Sequence, residues 1–241
     1  MSSPIDDFLL QYVTQFDFFQ EASRLCAQKC ETALKQNGIR SIVTYRAKAS
    51  DTLRAKLEKR NAKEQYKTAE DCKADMPDLA GVRIALYFPG DLEEVHRLLE
   101  SQFTIQKEKI FPRDSPPQAY KKRFSGYGAR HYRVRMLPES LGGQDRFAAA
   151  LVEIQVASVL MHAWSEVEHD LVYKPTSGTL SSTEYAILDQ LNGLVLAGEI
   201  ALEQLQSAAR LRLAGADAAF NNHYELAAYI YDKLIKSHRT T

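Results

Sequence analysis

The 241-residue chain has little of several features that mark specialised classes of protein. It contains no apolar run long enough to span a bilayer, which excludes an ordinary transmembrane helix. Its three cysteines are an odd number without metal-type spacing, so we expect reduced thiols in a reducing compartment. Its first residues lack the basic start and apolar core of a signal peptide. We therefore expect a cytoplasmic protein without a membrane partner.

The formal net charge is zero, since 31 Lys and Arg balance 31 Asp and Glu. A neutral molecule is not a general electrostatic binder of nucleic acid. The charge is unevenly distributed, however, because residues 107–135 hold nine Lys or Arg against two acids, whereas residues 136–241 hold seven against thirteen. A basic middle segment suits a polyphosphate pocket, although a solvated basic surface has the same composition.

Hydrophobic periodicity predicts strands separated by helices, which is typical of an α/β layered domain. The first helix carries an aromatic stripe, and we expect this stripe to face the core together with Cys26 and Cys30. Asp91 is expected to cap the helix that it begins, and Cys72 to lie in a polar loop. The predicted strands cover residues 41–46, 82–88, 103–111, 130–136 and 148–156, and the predicted helices cover residues 5–36, 51–68, 91–101, 158–173, 181–212 and 217–237.

The most informative stretch is residues 152–170, an alternating strand that continues into a helix with the only tryptophan, Trp164. Because side chains alternate between the faces of a strand, Glu153 and Gln155 share one face. A carboxylate held on a rigid strand beside an amide suits a metal ion or a general base.

Four further motifs accompany this stretch. In chain order the five are Tyr45-Arg46-Ala47-Lys48 with Thr52 and Lys56, Asp78-Leu79-Ala80-Gly81-Val82-Arg83-Ile84, Gly126-Tyr127 with His131, Glu153-Ile154-Gln155, and Trp164 followed by Glu168-His169 and Tyr173-Lys174. Together they resemble the synthetase domain of RelA/SpoT-type alarmone synthetases, whose small single-domain members are closest in length. The resemblance covers about residues 41 to 174.

This resemblance implies a mixed, nucleotidyltransferase-like sheet flanked by helices, an α/β (α+β) fold with a C-terminal helical extension. The corresponding domain organisation is an N-terminal helix over 1–40, a catalytic domain over 41–178 and a helical extension over 179–241. The implied reaction moves the β,γ-pyrophosphoryl group of ATP to the 3′-hydroxyl of GDP or GTP. Asp78 and Glu153 match the family's Mg²⁺-binding acids, and Glu153 also matches its base-like residue.

The resemblance also assigns the ATP side of the site. Arg46 and Arg83 match two arginines that stack on either side of the donor adenine, a role that suits planar guanidinium groups. Lys48 and Lys56 match residues that grip the donor phosphates. Thr52 stands where the family usually has Ser.

On the acceptor side, Tyr127 matches a tyrosine that stacks on the acceptor base, and His131 a histidine beside it. Arg123 and Gln155 are assigned to the same pocket. The sequence departs from the family pattern after Tyr127, at Gly128 and Ala129, and after Gln155, over residues 156–158. Acceptor identity is therefore open, with GDP or GTP, an adenine nucleotide, or the 3′ end of tRNA as alternatives. We expect Lys121, Lys122, Arg130 or Arg133 to compensate for the missing contacts.

Several residues after the strand imitate other sites. His162, Glu166 and His169 have metal-ligand spacing but not the order His-Glu-x-x-His, so we predict no zinc there. His169-Asp170 imitates a pair of the alarmone hydrolase domain, but only about forty residues precede the synthetase motifs. We therefore expect no hydrolase activity. Glu168 and His169 match the family's own Glu-His pair, and we expect them to support the residues that bind the substrates.

Two broader alternatives remain open from the sequence. The protein is either an enzyme or a nucleotide-binding protein that has lost catalysis. The C-terminal helices are amphipathic, so they either pack on their own domain or form the interface of a homo-oligomer.

Overall fold

The computed structural model describes residues 3–111, 124, 126, 128–173, 180–214 and 222–230. Within these residues the chain forms α-helices and one five-stranded sheet. The strands are β1 (Ser41–Ala47), β2 (Ala80–Leu86), β3 (Phe103–Phe111), β4 (Ala129–Met136) and β5 (Val152–Ser158). The helices are α1 (Pro4–Thr14), α2 (Phe16–Gln36), α3 (Ser50–Glu64), α4 (Ala69–Asp75), α5 (Leu92–Gln102), α6 (Val159–Tyr173), α7 (Ser182–Ala214) and α8 (His223–Ile230).

The strands are arranged in the order β1-β2-β5-β4-β3. The central strands β2 and β5 are parallel, and every other neighbouring pair is antiparallel. The sheet is therefore mixed, as the resemblance implied. Its central parallel pair brings together the two segments that carry Asp78 and Glu153.

One face of the sheet packs against the helices to form the main hydrophobic core. Along β2, β4 and β5 the even-numbered side chains point to this face, where Ile84, Tyr132 and Ile154 are fully buried. Helices α1, α2 and α5 cover it, and the aromatic stripe of α1 and α2 lies in the same cluster, as do Cys26 and Cys30. The odd-numbered side chains therefore face the other way, onto the face that holds the polar residues.

A second apolar cluster covers one end of that polar face. Trp164 and Met161 of α6 pack with Leu188 of α7 against Ala129 and Ala157 of the sheet. Among the described residues, α6 and α7 thus leave the other part of this face open. Across the part of the chain that the structure describes, every helix is too short or too polar to cross a membrane.

The prediction of a single helix over residues 5–36 is wrong. The helix is interrupted at Gln15, whose φ of −102° and ψ of 9° lie outside the helical region. Just before it, the Thr14 hydroxyl donates a hydrogen bond back to the Leu10 carbonyl at 2.9 Å. Such a bond competes with the backbone ladder and bends helices.

The helix predicted over residues 51–68 is likewise shorter than expected. It ends at Glu64, and Gln65 takes a left-handed conformation with a φ of 51°. Thr68 and Asp71 then form a capping box that starts α4. Cys72 lies on this helix and is buried, so the polar-loop prediction is wrong. The spacing of Thr68 and Asp71 was the available signal.

Asp91 precedes α5, but its side chain makes no capping bond there. Its carboxylate instead accepts hydrogen bonds from Gln206 Nε2 at 2.5 Å and from Arg210 at 3.0 Å. These contacts tie α7 to the start of α5. Strand β5 also begins at Val152 rather than at residue 148, because Asp145–Ala149 form a 3-10 helix.

Candidate active site

Strand pairing lines up the polar side chains of the open face in two adjacent rows. Residues directly opposite one another on paired strands have neighbouring side chains on the same face. The first row is Arg46, Gly81, Glu153 and Arg133, and the second row is Thr44, Arg83, Gln155 and His131.

Gly81 leaves a gap in the first row, between Arg46 and Glu153. A Cβ atom there would lie 3.6 Å from the Arg46 carbonyl oxygen, an ordinary contact, so packing does not demand a glycine. What the glycine provides is open space on the face beside Glu153.

Glu153 occupies the centre of the first row and is 9% exposed. Gln155 Nε2 donates to its Oε1 at 3.2 Å, and His131 Nδ1 lies 3.5 Å from the same oxygen. Arg133 Nε lies 3.6 Å from Oε2 and makes no hydrogen bond to any residue that the structure describes. Burial alone would raise the pKa of Glu153, but the contacts with His131 and Gln155 outweigh burial and lower it. The carboxylate is therefore ionised at neutral pH.

Asp78 lies two residues before β2 and is held between two lysines. Lys48 Nζ, at the end of β1, and Lys56 Nζ, on α3, both contact its Oδ2, the latter at 3.0 Å. Burial would raise the pKa of Asp78, yet the two ammonium charges lower it to about 2. Asp78 comes just before β2, whose Gly81 pairs with Glu153 of β5, and its negative charge opposes the lowering of the Glu153 pKa.

The two lysines share this one carboxylate. Burial, together with the neighbouring charge of Lys48, lowers the pKa of Lys56 in spite of its contact with Asp78. The pair of lysines retains an unneutralised positive charge that suits an anionic ligand such as a phosphate chain.

The two carboxylates fit a magnesium ion. Mg²⁺ usually takes one or two protein carboxylates and completes its shell with substrate phosphates and water. Among the described residues no group of three or more His, Cys, Asp and Glu side chains is placed to hold a metal. Substrate oxygens and water would therefore complete the shell around Asp78 and Glu153.

The two arginines assigned to adenine lie on the same face, as diagonal neighbours on β1 and β2. Arg46 is exposed, whereas Arg83 forms an ion pair with Glu166 of α6. Thr52 is exposed on the first turn of α3, one turn before Lys56. The structure therefore brings Arg46, Arg83, Lys48 and Lys56 to the β1–β2 side of the sheet.

The acceptor side is described only in part. Tyr127, Arg123, Lys121 and Lys122 lie outside the described residues. His131 lies on the open face, where its ring packs against the Phe111 ring with centroids 4.7 Å apart.

The two strand arginines proposed as compensating residues lie on opposite faces. Arg130 points to the other side of the sheet, where it pairs with Glu93 and Glu108. Of the two, Arg133 is therefore the one that faces Glu153.

The three residues with metal-like spacing on α6 contact different partners. His162 is buried with its Nε2 3.1 Å from the Ile84 carbonyl oxygen, and burial lowers its pKa to about 4. Glu166 pairs with Arg83, while His169 is exposed with its Nδ1 3.4 Å from Asp170.

Glu168 is half-buried, one position before His169 on α6. Sequence reasoning missed Glu166 as a site residue, because its link to Arg83 is made across 83 positions and leaves no local signal.

The overall fold is that of the small alarmone synthetases. Small alarmone synthetase 1 from Bacillus subtilis bound to its product pppGpp aligns with a TM-score of 0.59 at 20% identity, over 83% of this chain and 97% of that one. The same protein bound to AMPCPP aligns with a TM-score of 0.54 at 19% identity, over 82% and 98% of the two chains. The mixed sheet with flanking helices predicted from the motifs is thereby confirmed.

The chain belongs to the RelA/SpoT family. The family model described as "Region found in RelA / SpoT proteins" matches residues 45–178, more than half of the chain. GTP pyrophosphokinase YjbM from Bacillus subtilis (strain 168) is 30% identical over 101 residues, which are 41% of this chain and 43% of that protein. The chain thus spans less than half the length of the curated relatives it matches. The resemblance inferred from the five motifs is confirmed.

Proposed function

We propose that the protein is a magnesium-dependent pyrophosphokinase that moves the β,γ-pyrophosphoryl group of ATP to the 3′-hydroxyl of GDP or GTP. The observation that carries this proposal is the placement of two ionised carboxylates at the parallel pair β2 and β5, with Asp78 held between Lys48 and Lys56 just before β2 and Glu153 on the open face of β5. Phosphoryl transfer depends mainly on neutralising phosphate charge and aligning the nucleophile. Relatives named GTP pyrophosphokinase, and a related fold with pppGpp or AMPCPP bound, support the same reaction.

The ion pairs around Asp78 indicate how the ATP phosphates would enter. Lys48 and Lys56 now neutralise Asp78, and both ammonium groups would turn to the phosphate oxygens when ATP binds. Asp78 would then be released to the magnesium ion, together with Glu153. Bound magnesium would supply charge neutralisation on the transferred group.

Glu153 would act at the acceptor end. Its carboxylate lies in the row next to His131 and Arg133, and it would orient the 3′-hydroxyl and accept its proton. Arg133 Nε is a buried donor that lies 3.6 Å from Glu153 but makes no hydrogen bond in the described structure, so we expect it to bind an anionic acceptor. A buried donor without a hydrogen bond costs free energy, so a ligand that accepts one from it gains affinity.

Arg46 and Arg83 would hold the adenine. Diagonal neighbours on adjacent strands lie about 7–8 Å apart, which would leave room for a planar ring between two guanidinium planes. Gly81, opposite Arg46, adds no side chain to this space. Glu166 holds the Arg83 guanidinium from the α6 side and would keep its plane in place.

Arg46→Lys and Arg83→Lys should each weaken ATP binding although both keep the positive charge. Lysine lacks the planar surface that stacks on a base. We expect a loss of roughly 1–2 kcal/mol, about fivefold to thirtyfold in affinity, measured by calorimetry with AMPCPP. Arg54→Lys is the matched control, because Arg54 lies on α3 and pairs with Asp6 instead. Full AMPCPP affinity in both site variants would reject the adenine role.

The acceptor is tested directly by a labelled-ATP assay with GDP, GTP, AMP, ADP and tRNA offered separately. Transfer of label to GDP or GTP supports the proposal. Preferred transfer to an adenine nucleotide or to tRNA would keep the chemistry and change the acceptor. AMPCPP binding without transfer to any acceptor would instead indicate a nucleotide-binding protein without catalysis.

We also propose that the protein forms a homo-oligomer through its C-terminal helices. One face of α7 packs on its own domain through Leu188 and Gln206. Another face exposes Ile187, Leu191, Leu194 and Leu205, which recur at helical spacing. A second copy of the same stripe is a suitable partner, since homo-oligomers are usually symmetric.

The double substitution Leu194→Lys and Leu205→Lys should reduce the oligomer to a monomer in light scattering, because charge would be buried in the interface. Leu211→Lys is the control, since Leu211 is 76% exposed but lies on a different side of α7. A wild-type monomer at micromolar concentration would contradict the proposal.

A further inference from the structure

We propose that Tyr12, Gln20 and Ser23 of the N-terminal helices are positioning residues for the ATP half of the site. The inference rests on the proposed function, because the site is the one assigned above to ATP. None of the three residues belongs to a motif shared with the family pattern quoted above. Each one hydrogen-bonds to the backbone of a residue that carries, or directly flanks, a proposed ATP or metal group.

Tyr12 joins the two segments that carry Lys48 and Asp78. Its hydroxyl donates to the Lys48 carbonyl at 2.6 Å and lies 3.5 Å from the carbonyl of Leu79, the residue after Asp78. The Lys48 N–H in turn donates to the Leu79 carbonyl at 3.1 Å. One phenol group therefore fixes the backbone on both sides of the ion pair between Lys48 and Asp78.

Ser23 and Gln20 of α2 make the corresponding contacts one step further along the strands. The Gly81 N–H donates to Ser23 Oγ at 3.2 Å, while the Ser23 hydroxyl donates to the Phe19 carbonyl at 2.8 Å and lies 3.2 Å from the Arg46 carbonyl. The Ala47 N–H donates to Gln20 Oε1 at 2.7 Å. The backbone of residues 46, 47, 48, 79 and 81 thus lies within 3.5 Å of polar side-chain atoms of α1 and α2.

These contacts matter because β1 is an edge strand of the described sheet, with β2 on one side only. An edge strand is held by one ladder of hydrogen bonds, whereas a central strand is held by two. The helices supply the missing constraint through the backbone, and they leave the side chains of Arg46 and Lys48 to the ligand.

The Tyr12 hydroxyl is itself held firmly. Tyr12 is 2% exposed, and its ring packs on Phe19 with centroids 5.3 Å apart and edge-on against Phe16 at 6.1 Å. A ring packed on several sides has one orientation, so its hydroxyl fixes the carbonyl that it binds. Such support of functional groups by surrounding hydrogen bonds keeps a site in its productive geometry.

The test is Tyr12→Phe, which removes the hydroxyl and keeps the packed ring. We expect faster hydrogen exchange at the Lys48 amide and about threefold to tenfold weaker AMPCPP binding, with the KM for GDP or GTP unchanged. Tyr66→Phe is the matched control, because it removes a hydroxyl bond of equal length, 2.6 Å, that goes to Asp75 away from the site. A general loss of structure would impair the donor and acceptor sites together, so it would also change the KM for GDP or GTP.

Ser23→Ala gives an independent test that does not depend on the folding of Tyr12→Phe. It should raise exchange at the Gly81 amide and weaken AMPCPP binding within the same range. If the wild type transfers label and both variants bind AMPCPP as tightly as Tyr66→Phe, the positioning role is overturned and the proposed function stands. Weaker AMPCPP binding in the variants without transfer by the wild type would overturn the proposed function and leave the positioning role standing.

Discussion

Glu153→Gln should lower pyrophosphoryl transfer by about 10³-fold or more while leaving the protein folded. Glutamine keeps the size of the side chain and one oxygen for the Gln155 amide, but it loses the negative charge. Both proposed roles, binding of Mg²⁺ and acceptance of the hydroxyl proton, need that charge. The measurement is the initial rate of label transfer from ATP at saturating acceptor, with the melting temperature as the check on folding.

Glu108→Gln is a closely matched control for this variant. Glu108 is also a strand glutamate near a histidine and an arginine, with His96 at 3.7 Å and Arg130 at 3.8 Å. It lies on the other face of the sheet, however, opposite the buried Tyr132. We expect near-normal transfer in Glu108→Gln. Near-normal transfer in Glu153→Gln would remove Glu153 from the reaction.

The lowered pKa of Glu153 bears on the division of its roles. A general base is most efficient when its pKa lies near the working pH. Contacts with His131 and Gln155 keep the carboxylate ionised but make it a weaker proton acceptor. We therefore propose that metal binding and orientation of the hydroxyl account for more of its effect than proton abstraction.

Much of the polar face was predictable from local sequence. Strand alternation places Glu153 with Gln155, and His131 with Arg133, on shared faces, and the structure has both pairs on one face. The same alternation carries the signal that Arg130 points to the other face. The role suggested for Arg130 overlooked that signal.

The rows themselves were not predictable from local sequence. Arg46, Gly81 and Glu153 share a row because β2 pairs with β1 on one side and with β5 on the other, across long stretches of chain. No periodicity within a strand encodes which strand lies next to it. The bonds of Asp91 to Gln206 and of Tyr12 to Lys48 are invisible for the same reason, since they span 115 and 36 positions.

Asp78→Asn should abolish Mg²⁺-dependent transfer, again by about 10³-fold or more, yet keep or improve the binding of metal-free ATP. The carboxylate now competes with the phosphate chain for Lys48 and Lys56. Asparagine removes that competitor and also removes a magnesium ligand. Because the pKa of Asp78 is held at about 2, the wild-type carboxylate is fully charged at neutral pH. The substitution to asparagine therefore removes one full negative charge in that range.

The opposite effects on ATP binding and on turnover separate this role from a loss of structure, which would weaken both. Calorimetry with AMPCPP, with and without Mg²⁺, measures the first quantity, and label transfer measures the second. Asp75→Asn is the control, because Asp75 lies three residues earlier and accepts bonds from Tyr66 and Arg60 rather than from the site lysines. If Asp78→Asn lost metal-free AMPCPP binding, or turned over at a rate near the wild type, the proposal that Lys48 and Lys56 release Asp78 to bind Mg²⁺ would be wrong.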